Sequence, residues 1–494
     1  MTMRRWMLLW AMLLVLPGCG GPWESGDRVL VTKCNEPVMA PNRYDVVVFK
    51  FPKGPVDKGT PKNYIKRLLG LPGEILAIFF GRVYHRVPEK DGEPFYNDLK
   101  NPNVSANDLW QDKFMHVDDK ASTDAFRAGK FRILRKPPGV MMALRRIVYD
   151  NDFQPKDLVG KLDRWSPAAG STWKADKGTG FICDGKQAEK YDFIRYSHLV
   201  RPDRIEGQVD TPLNQVKRML ILDTLDYNSA MTTDDNNTER FYSRQYEYAH
   251  WVGDLMLECN VDVTEPKGEF CLELSRGIHR FQACFDLATG DCSLYRLTLK
   301  DAKLVREATP MEVKPTRVKG PGSYMIRLAN TDARLTVWVD RDLPFGDGKE
   351  YDPPEIRGPE DKGLSDDAIV ARRGPTKEND FEPASIGSKG ASVTINHIRL
   401  WRDIYYRTTA SPHITDHSMG MKREDWSVGS TQLGEMHGRM RFVTMYVQPG
   451  HYLCLGDNSQ ASSDSREWGL VPQRLMLGRA LAVYYPIERI GPIR

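Results

Sequence analysis

Tyr64-Ile65-Lys66-Arg67-Leu68-Leu69-Gly70-Leu71-Pro72-Gly73-Glu74 sets a lysine and an arginine inside an apolar run that ends in a Pro-Gly turn. Lys66 stands among Ile65, Leu68, Leu69 and Leu71, a setting that would lower the pKa of its amine by burial. Outward from this stretch the pattern is that of short strands. Asp27–Lys33 and Tyr44–Lys50 are β-branched runs separated by a loop holding Pro37 and Pro41, and they read as neighbouring strands. After the Pro-Gly turn, Ile75–Phe80 and Val83-Tyr84-His85 flank Phe80-Gly81-Arg82, which predicts a hairpin. The last fifty residues return to this style, with strands expected at Arg441–Val447 and Arg479–Tyr485 around a Gly/Asp/Asn/Ser turn region, so the two ends are expected to complete one sheet.

Between the ends lies a long insertion. From 87 to 248 charges, Pro and Gly mix with isolated tryptophans, and only helices around Ala121–Ala128 and Met141–Arg146 suggest themselves. From 249 to 406 strand signals recur at short intervals. Leu255, Leu257, Cys259, Val261 and Val263 alternate with Glu258, Asn260 and Asp262, which predicts one buried and one wet face. Further strands are expected at Glu269–Leu274, His279–Asp286, Ser293–Leu299, Tyr324–Ala329, Leu335–Asp340 and Ser392–Trp401, the spacing of a β-sandwich. Its layout resembles the concanavalin/laminin-G-type jelly roll. Such sandwiches bind glycans, proteins or nothing.

The chain has 494 residues, enough for two or three domains, and its 70 basic against 66 acidic residues are scattered, which leaves no nucleic-acid footprint. Residues 1–19 differ from the rest: Arg4 and Arg5, an apolar run from Trp6 to Leu16, then Leu16-Pro17-Gly18-Cys19. This reads as an export signal, since eleven apolar residues fall short of the roughly 20 that span a bilayer. The ending resembles a bacterial lipobox, which implies a lipidated Cys19, a membrane-lipid partner and a place on the outer face of a bacterial membrane, most simply the periplasmic one. Seven further cysteines include four between 259 and 292, and spacing alone does not pair them. No Cys-x-x-Cys or His-Glu-x-x-His spacing supports a metal, and no cofactor is indicated.

Two stretches carry chemistry: Tyr64–Glu74, and Gly456-Asp457-Asn458-Ser459-Gln460-Ala461-Ser462-Ser463-Asp464-Ser465-Arg466. Together with Gly26-Asp27-Arg28-Val29-Leu30-Val31 and Trp468-Gly469-Leu470-Val471-Pro472 they resemble, in order, the boxes of signal peptidase I, the bacterial leader peptidase. The resemblance covers 24–86 and 440–494, and implies a mainly β fold split by the inserted sandwich. It implies a Ser/Lys endopeptidase that removes signal peptides from exported proteins, binding them as extended segments along a sheet edge. On this resemblance Lys66 is the general base, Ser462 orients its amine, Tyr64 lines the cleft, Asp464 and Arg466 form a structural ion pair, and Asp457 and Asn458 belong to the same box. One part of the pattern is missing. The family's nucleophilic serine precedes the first Gly-Asp by a few residues, yet here Gly18-Cys19-Gly20-Gly21-Pro22-Trp23-Glu24-Ser25 has no serine at that offset, and Ser25 is too close to Gly26. With a one-residue deletion Cys19 overlays it as a thiol nucleophile, a use of the sulfur that excludes lipidation. The expectation is therefore impaired peptidase activity. The alternative is a non-catalytic lipoprotein that binds glycan or protein through its sandwich.

Overall fold

The computed structural model describes residues 27–33, 40–52, 62–89, 115–117, 120–154, 159–176, 178–200, 214, 216–223, 249–352, 374–409 and 443–493. The export-type segment, Cys19 and Ser25 lie outside them.

The two ends of the chain do share a sheet. Its strands run Arg28–Lys33, Met476–Tyr485, Val46–Lys50, Asn63–Gly70, His451–Leu455 and Val471–Pro472, neighbours being antiparallel. The first two strands of the sequence are thus not neighbours: Met476–Tyr485 lies between them, with Arg479 opposite Thr32 on one side and Val47 on the other. Sequence proximity favours pairing of Arg28–Lys33 with Val46–Lys50, but a ten-residue strand satisfies the backbone of both at once. Gly478 permits the close fit, since a Cβ there would collide with the carbonyl oxygen of Thr32.

A second sheet orders Met115–Val117, Val443–Tyr446, Ile75–Phe79, Arg82–Arg86 and Arg132–Ile133. The expected hairpin is present, with Phe80 and Gly81 both at positive φ. A core of Leu69, Leu76, Ile78, Val443, Met445, Val447, Leu453 and Leu455 draws on strands of both sheets.

The insertion is a two-sheet sandwich. One sheet is centred on Leu255–Val263, flanked by Ser392–Arg402 and Gly322–Thr331; the other is centred on Glu269–Arg276, flanked by His279–Asp286 and Ala384–Lys389. Leu255, Leu257, Cys259, Val261 and Val263 all face the core between them. The opposite face of that strand is not uniformly wet: Glu258 is buried and paired with Arg327 and Arg399, because Met141, Trp338 and Trp401 cluster on that side around Met256. The 87–248 span is also more ordered than its composition suggests. Arg146–Asp150 and Phe181–Asp184 pair with Ser392–Arg402, and Asp192–Tyr196 pairs with Ala384–Lys389. These strands of four or five residues are too short for alternation to be read from sequence. The helix Lys120–Arg127 lies where one was expected; the second, Pro138–Leu144, starts three residues earlier than expected and ends before Arg146, which opens a strand.

Candidate active site

Lys66 sits in the strand Asn63–Gly70, opposite Val47. Alternation puts Tyr64, Lys66 and Leu68 on one face and Ile65 and Leu69 on the other. The apolar setting of the amine therefore differs in part from the one the sequence suggests: Ile65 is exposed, Leu69 belongs to the inter-sheet core, and Val47, Phe49, Leu68, Tyr64 and Trp468 form the apolar cluster on the face that Lys66 shares. Lys66 Nζ stands 5.8 Å from the centre of the Tyr64 ring. Burial lowers the pKa of this amine; Asp464 opposes the shift and Arg466 adds to it.

The Gly456–Arg466 box follows the strand His451–Leu455 and is held from within. Asp464 accepts the N–H of Gly456 at 2.9 Å and caps the short helix Ser465–Trp468 through the N–H of Arg466. Arg466 donates Nε and Nη2 to Asp464 at 2.9 and 2.6 Å and reaches Ser459 Oγ and O at 2.8 Å each, while Ser465 Oγ accepts the N–H of Cys454. The chain is thereby folded over the lysine, and Lys66 Nζ donates to the buried Ser462 Oγ at 3.1 Å. Gly456 lies beneath this contact; a Cβ there would collide with Ser462 Oγ. Asn458 is exposed at the turn.

Several residues that the sequence did not single out complete the site. Arg67, on the face opposite Lys66, grips Asp457 with Nε and Nη2 at 2.9 and 2.8 Å, so adjacent residues of one strand hold the box at two points. Arg407, fully buried, donates its N–H to Ser459 Oγ, offers its carbonyl to Arg466 Nη1, and pairs with Asp223 at 2.7 Å. Burial raises the pKa of Asp223, but Arg407 and His250 outweigh it and hold the carboxyl well below the usual range. Arg146 of the insertion donates to the carbonyl of Asp457 at 2.9 Å. Arg67 was within the quoted stretch; Arg407, Asp223 and Arg146 come from segments whose local sequence carries no motif.

Three buried carboxylates, Asp254, Asp332 and Asp403, also converge. Cations fill the space between them: Lys136 Nζ bridges Asp332 and Asp403 at 2.7 and 2.8 Å, and Arg82 and Arg276 meet Asp254 at 2.5 and 2.6 Å. The cluster ties the Phe80-Gly81 hairpin to the sandwich.

The model of the signal peptidase, peptidase S26 family matches residues 22–129 and 367–485, both ends of the chain together with the margins of the insertion. The two ends of the chain are thus similar to the signal peptidase family. The second matched region overlaps the last two sandwich strands, Ala384–Lys389 and Ser392–Arg402, which pair within the sandwich. Signal peptidase I of Leptolyngbya laminosa is 43% identical over 47 residues, 10% of this chain and 23% of that one. Mitochondrial inner membrane protease subunit 1 of Xenopus tropicalis is 43% identical over 49 residues, 10% and 29% respectively. The chain thus spans less than a third of the length of these curated relatives. Among solved structures, carbohydrate binding module CBM66 from Bacillus subtilis aligns over 49% of this chain and 96% of its own at 10% identity with a TM-score of 0.25, a likeness too distant to speak of a ligand. No helix among the described residues is long and apolar enough to cross a membrane.

Proposed function

We propose that the domain formed by the two ends of the chain is an exported, membrane-associated endopeptidase unit of signal peptidase I type, which keeps the base half of a Ser/Lys dyad and departs from the family at the nucleophile. The observation that carries this reading is the contact of Lys66 Nζ with Ser462 Oγ at 3.1 Å, made by an amine whose pKa burial lowers. A neutral amine accepts a proton from an attacking hydroxyl or thiol, and a hydroxyl beside it fixes the direction of its lone pair. Tyr64 and Trp468 wall the amine, and an extended segment of an exported preprotein would lie against this face as an added strand. In this reading Asp464, Arg466, Asp457 and Arg67 hold the box in place. With no serine at the family's offset, signal-peptide cleavage is impaired, and the sulfur of Cys19 is either the substitute nucleophile or the point of lipid attachment.

The test is cleavage of a signal-peptide-bearing preprotein in detergent micelles by the full chain, beside Lys66→Ala and Cys19→Ala, with an active leader peptidase as control. Cleavage far below the control, lost altogether in Lys66→Ala, is the expected result. Cleavage equal to the control would overturn the impairment, and residual cleavage indifferent to Lys66→Ala would overturn the role of the lysine. The Cys19→Ala arm decides between the two uses of the sulfur: loss of the residual cleavage assigns the nucleophile, and loss of membrane retention alone assigns lipidation.

A further inference from the structure

The hairpin of Glu269–Arg276 and His279–Asp286 sets Cys271 directly opposite Cys284. Around them the pairing alternates strictly. Phe270 faces Phe285, Leu272 faces Ala283 and Leu274 faces Phe281 on the side of the sandwich core; Cys271 and Cys284 share the other side with the opposed pair Glu273 and Gln282. Directly opposed residues of antiparallel strands have Cα atoms about 4.5–5.5 Å apart, inside the range of about 4.4–6.8 Å that a disulfide spans. The two Sγ atoms stand 2.7 Å apart, closer than unbonded sulfurs pack. Arg306 brings Nη2 to 3.9 Å from Cys284 Sγ. The other two cysteines of the 259–292 cluster face elsewhere: Cys259 and Cys292 both point into the core, opposite Ile326 and Phe285.

We propose that Cys271 and Cys284 are joined by a cross-strand disulfide in the mature protein, formed by exchange with an external disulfide while the hairpin closes. One protein thiolate attacks a small-molecule disulfide such as oxidised glutathione, giving a mixed disulfide and releasing one glutathione thiolate. The second protein thiolate then attacks the protein sulfur of that mixed disulfide. The Cys271–Cys284 bond forms, the second glutathione leaves, and the two protons lost by the protein thiols end on the two released glutathiones, which carry the two electrons. The export-type segment at 1–19 fits the oxidising compartment this requires. The resulting cross-link closes a short loop in this sheet, on the face turned away from the sandwich core.

The test is peptide mapping of the full chain in detergent, refolded with mixed reduced and oxidised glutathione, acid-quenched, alkylated in denaturant and digested without reduction. The expected result is one linked peptide pair containing Cys271 and Cys284, unalkylated, which separates on reduction, while Cys259 and Cys292 carry the alkyl label. Reduction should also lower the thermal midpoint by roughly 5–10 °C in the unmodified chain and leave that of Cys271→Ser/Cys284→Ser unmoved. Alkylation of both Cys271 and Cys284 in the oxidised sample, or linkage of either to a different cysteine, would overturn the proposal.

Discussion

A primary amine is a base only when it has lost its proton, and Lys66 is placed to lose it early. Its folded pKa lies below that of the unfolded chain, so the neutral fraction rises with pH through the lowered value, and any Lys66-dependent cleavage rises with it. In a pH series of amine acylation followed by mass spectrometry, Lys66 should react at lower pH than exposed lysines such as Lys120. Ser462→Ala should cut Lys66-dependent cleavage by about 10²–10⁴-fold if its hydroxyl fixes the amine, with little change in thermal midpoint. Gly456→Ala should do the same by pushing Ser462 off the amine, a result Gly450→Ala, in open space, should not reproduce. A different titration governs stability. Buried Asp380, which accepts hydrogen bonds from Ser275 and from the N–H groups of Gly277 and Thr376, has its pKa pushed by burial up to about 6. Its folded form keeps the proton longer than the unfolded chain does. The contribution is therefore fully present below the unfolded value near 4 and is lost as pH rises through about 6, an effect of roughly 3 kcal/mol measurable by denaturant titration across that window.

At the scale of the element, the box is a loop made rigid by one arginine and closed by another. Arg466 turns the loop on Asp464 and Ser459, and Arg407, anchored on Asp223, closes it from outside. Removing one partner of a fully buried pair leaves the other charge uncompensated, so Asp223→Ala should cost about 3–5 kcal/mol in denaturant unfolding. The same change should loosen the Lys66–Ser462 contact, visible as a return of Lys66 acylation towards ordinary lysine pH. This element also shows what the sequence makes legible. The lysine stretch and the Gly456–Arg466 box were readable because each packs its chemistry into consecutive residues, and the odd positions of Leu255–Val263 because alternation over nine residues is unambiguous. Arg407, Asp223 and Arg146 were not readable, since each is local only in space. Ile65 and Leu69 were misplaced as neighbours of Lys66 for a related reason: adjacent residues in a strand face opposite ways, and Leu68 and Leu71 are joined in the cluster on its side by Val47, Phe49 and Trp468 from other elements.

Across the whole molecule, the sheets built from the two ends of the chain and the sandwich are joined through charges withdrawn from water. Asp254, Asp332 and Asp403 are balanced by Arg82, Arg276 and Lys136, and Tyr405 packs so close to Gly81 that a Cβ there would strike its ring. Asp403 is held above the usual carboxylate range by burial, against the pull of Lys136. Lys136→Met would leave Asp332 and Asp403 facing each other without their shared cation. Its deficit in thermal midpoint should be largest at neutral pH and shrink towards pH 4, where Asp403 takes up a proton and no longer repels its neighbour. A deficit independent of pH would mean that packing, not charge, is what Lys136 supplies.

The strand Met476–Tyr485, seated between Arg28–Lys33 and Val46–Lys50, has a meaning in time as well as in space. On the ribosome the early strands emerge some four hundred residues before the one that separates them, at a pace of about 5–20 residues per second. For those tens of seconds the sandwich can fold on local hairpins, while the lysine strand waits beside a gap. The order of synthesis makes the sheet that holds Lys66 late to close, so a nascent chain carries the lysine well before the box that covers it.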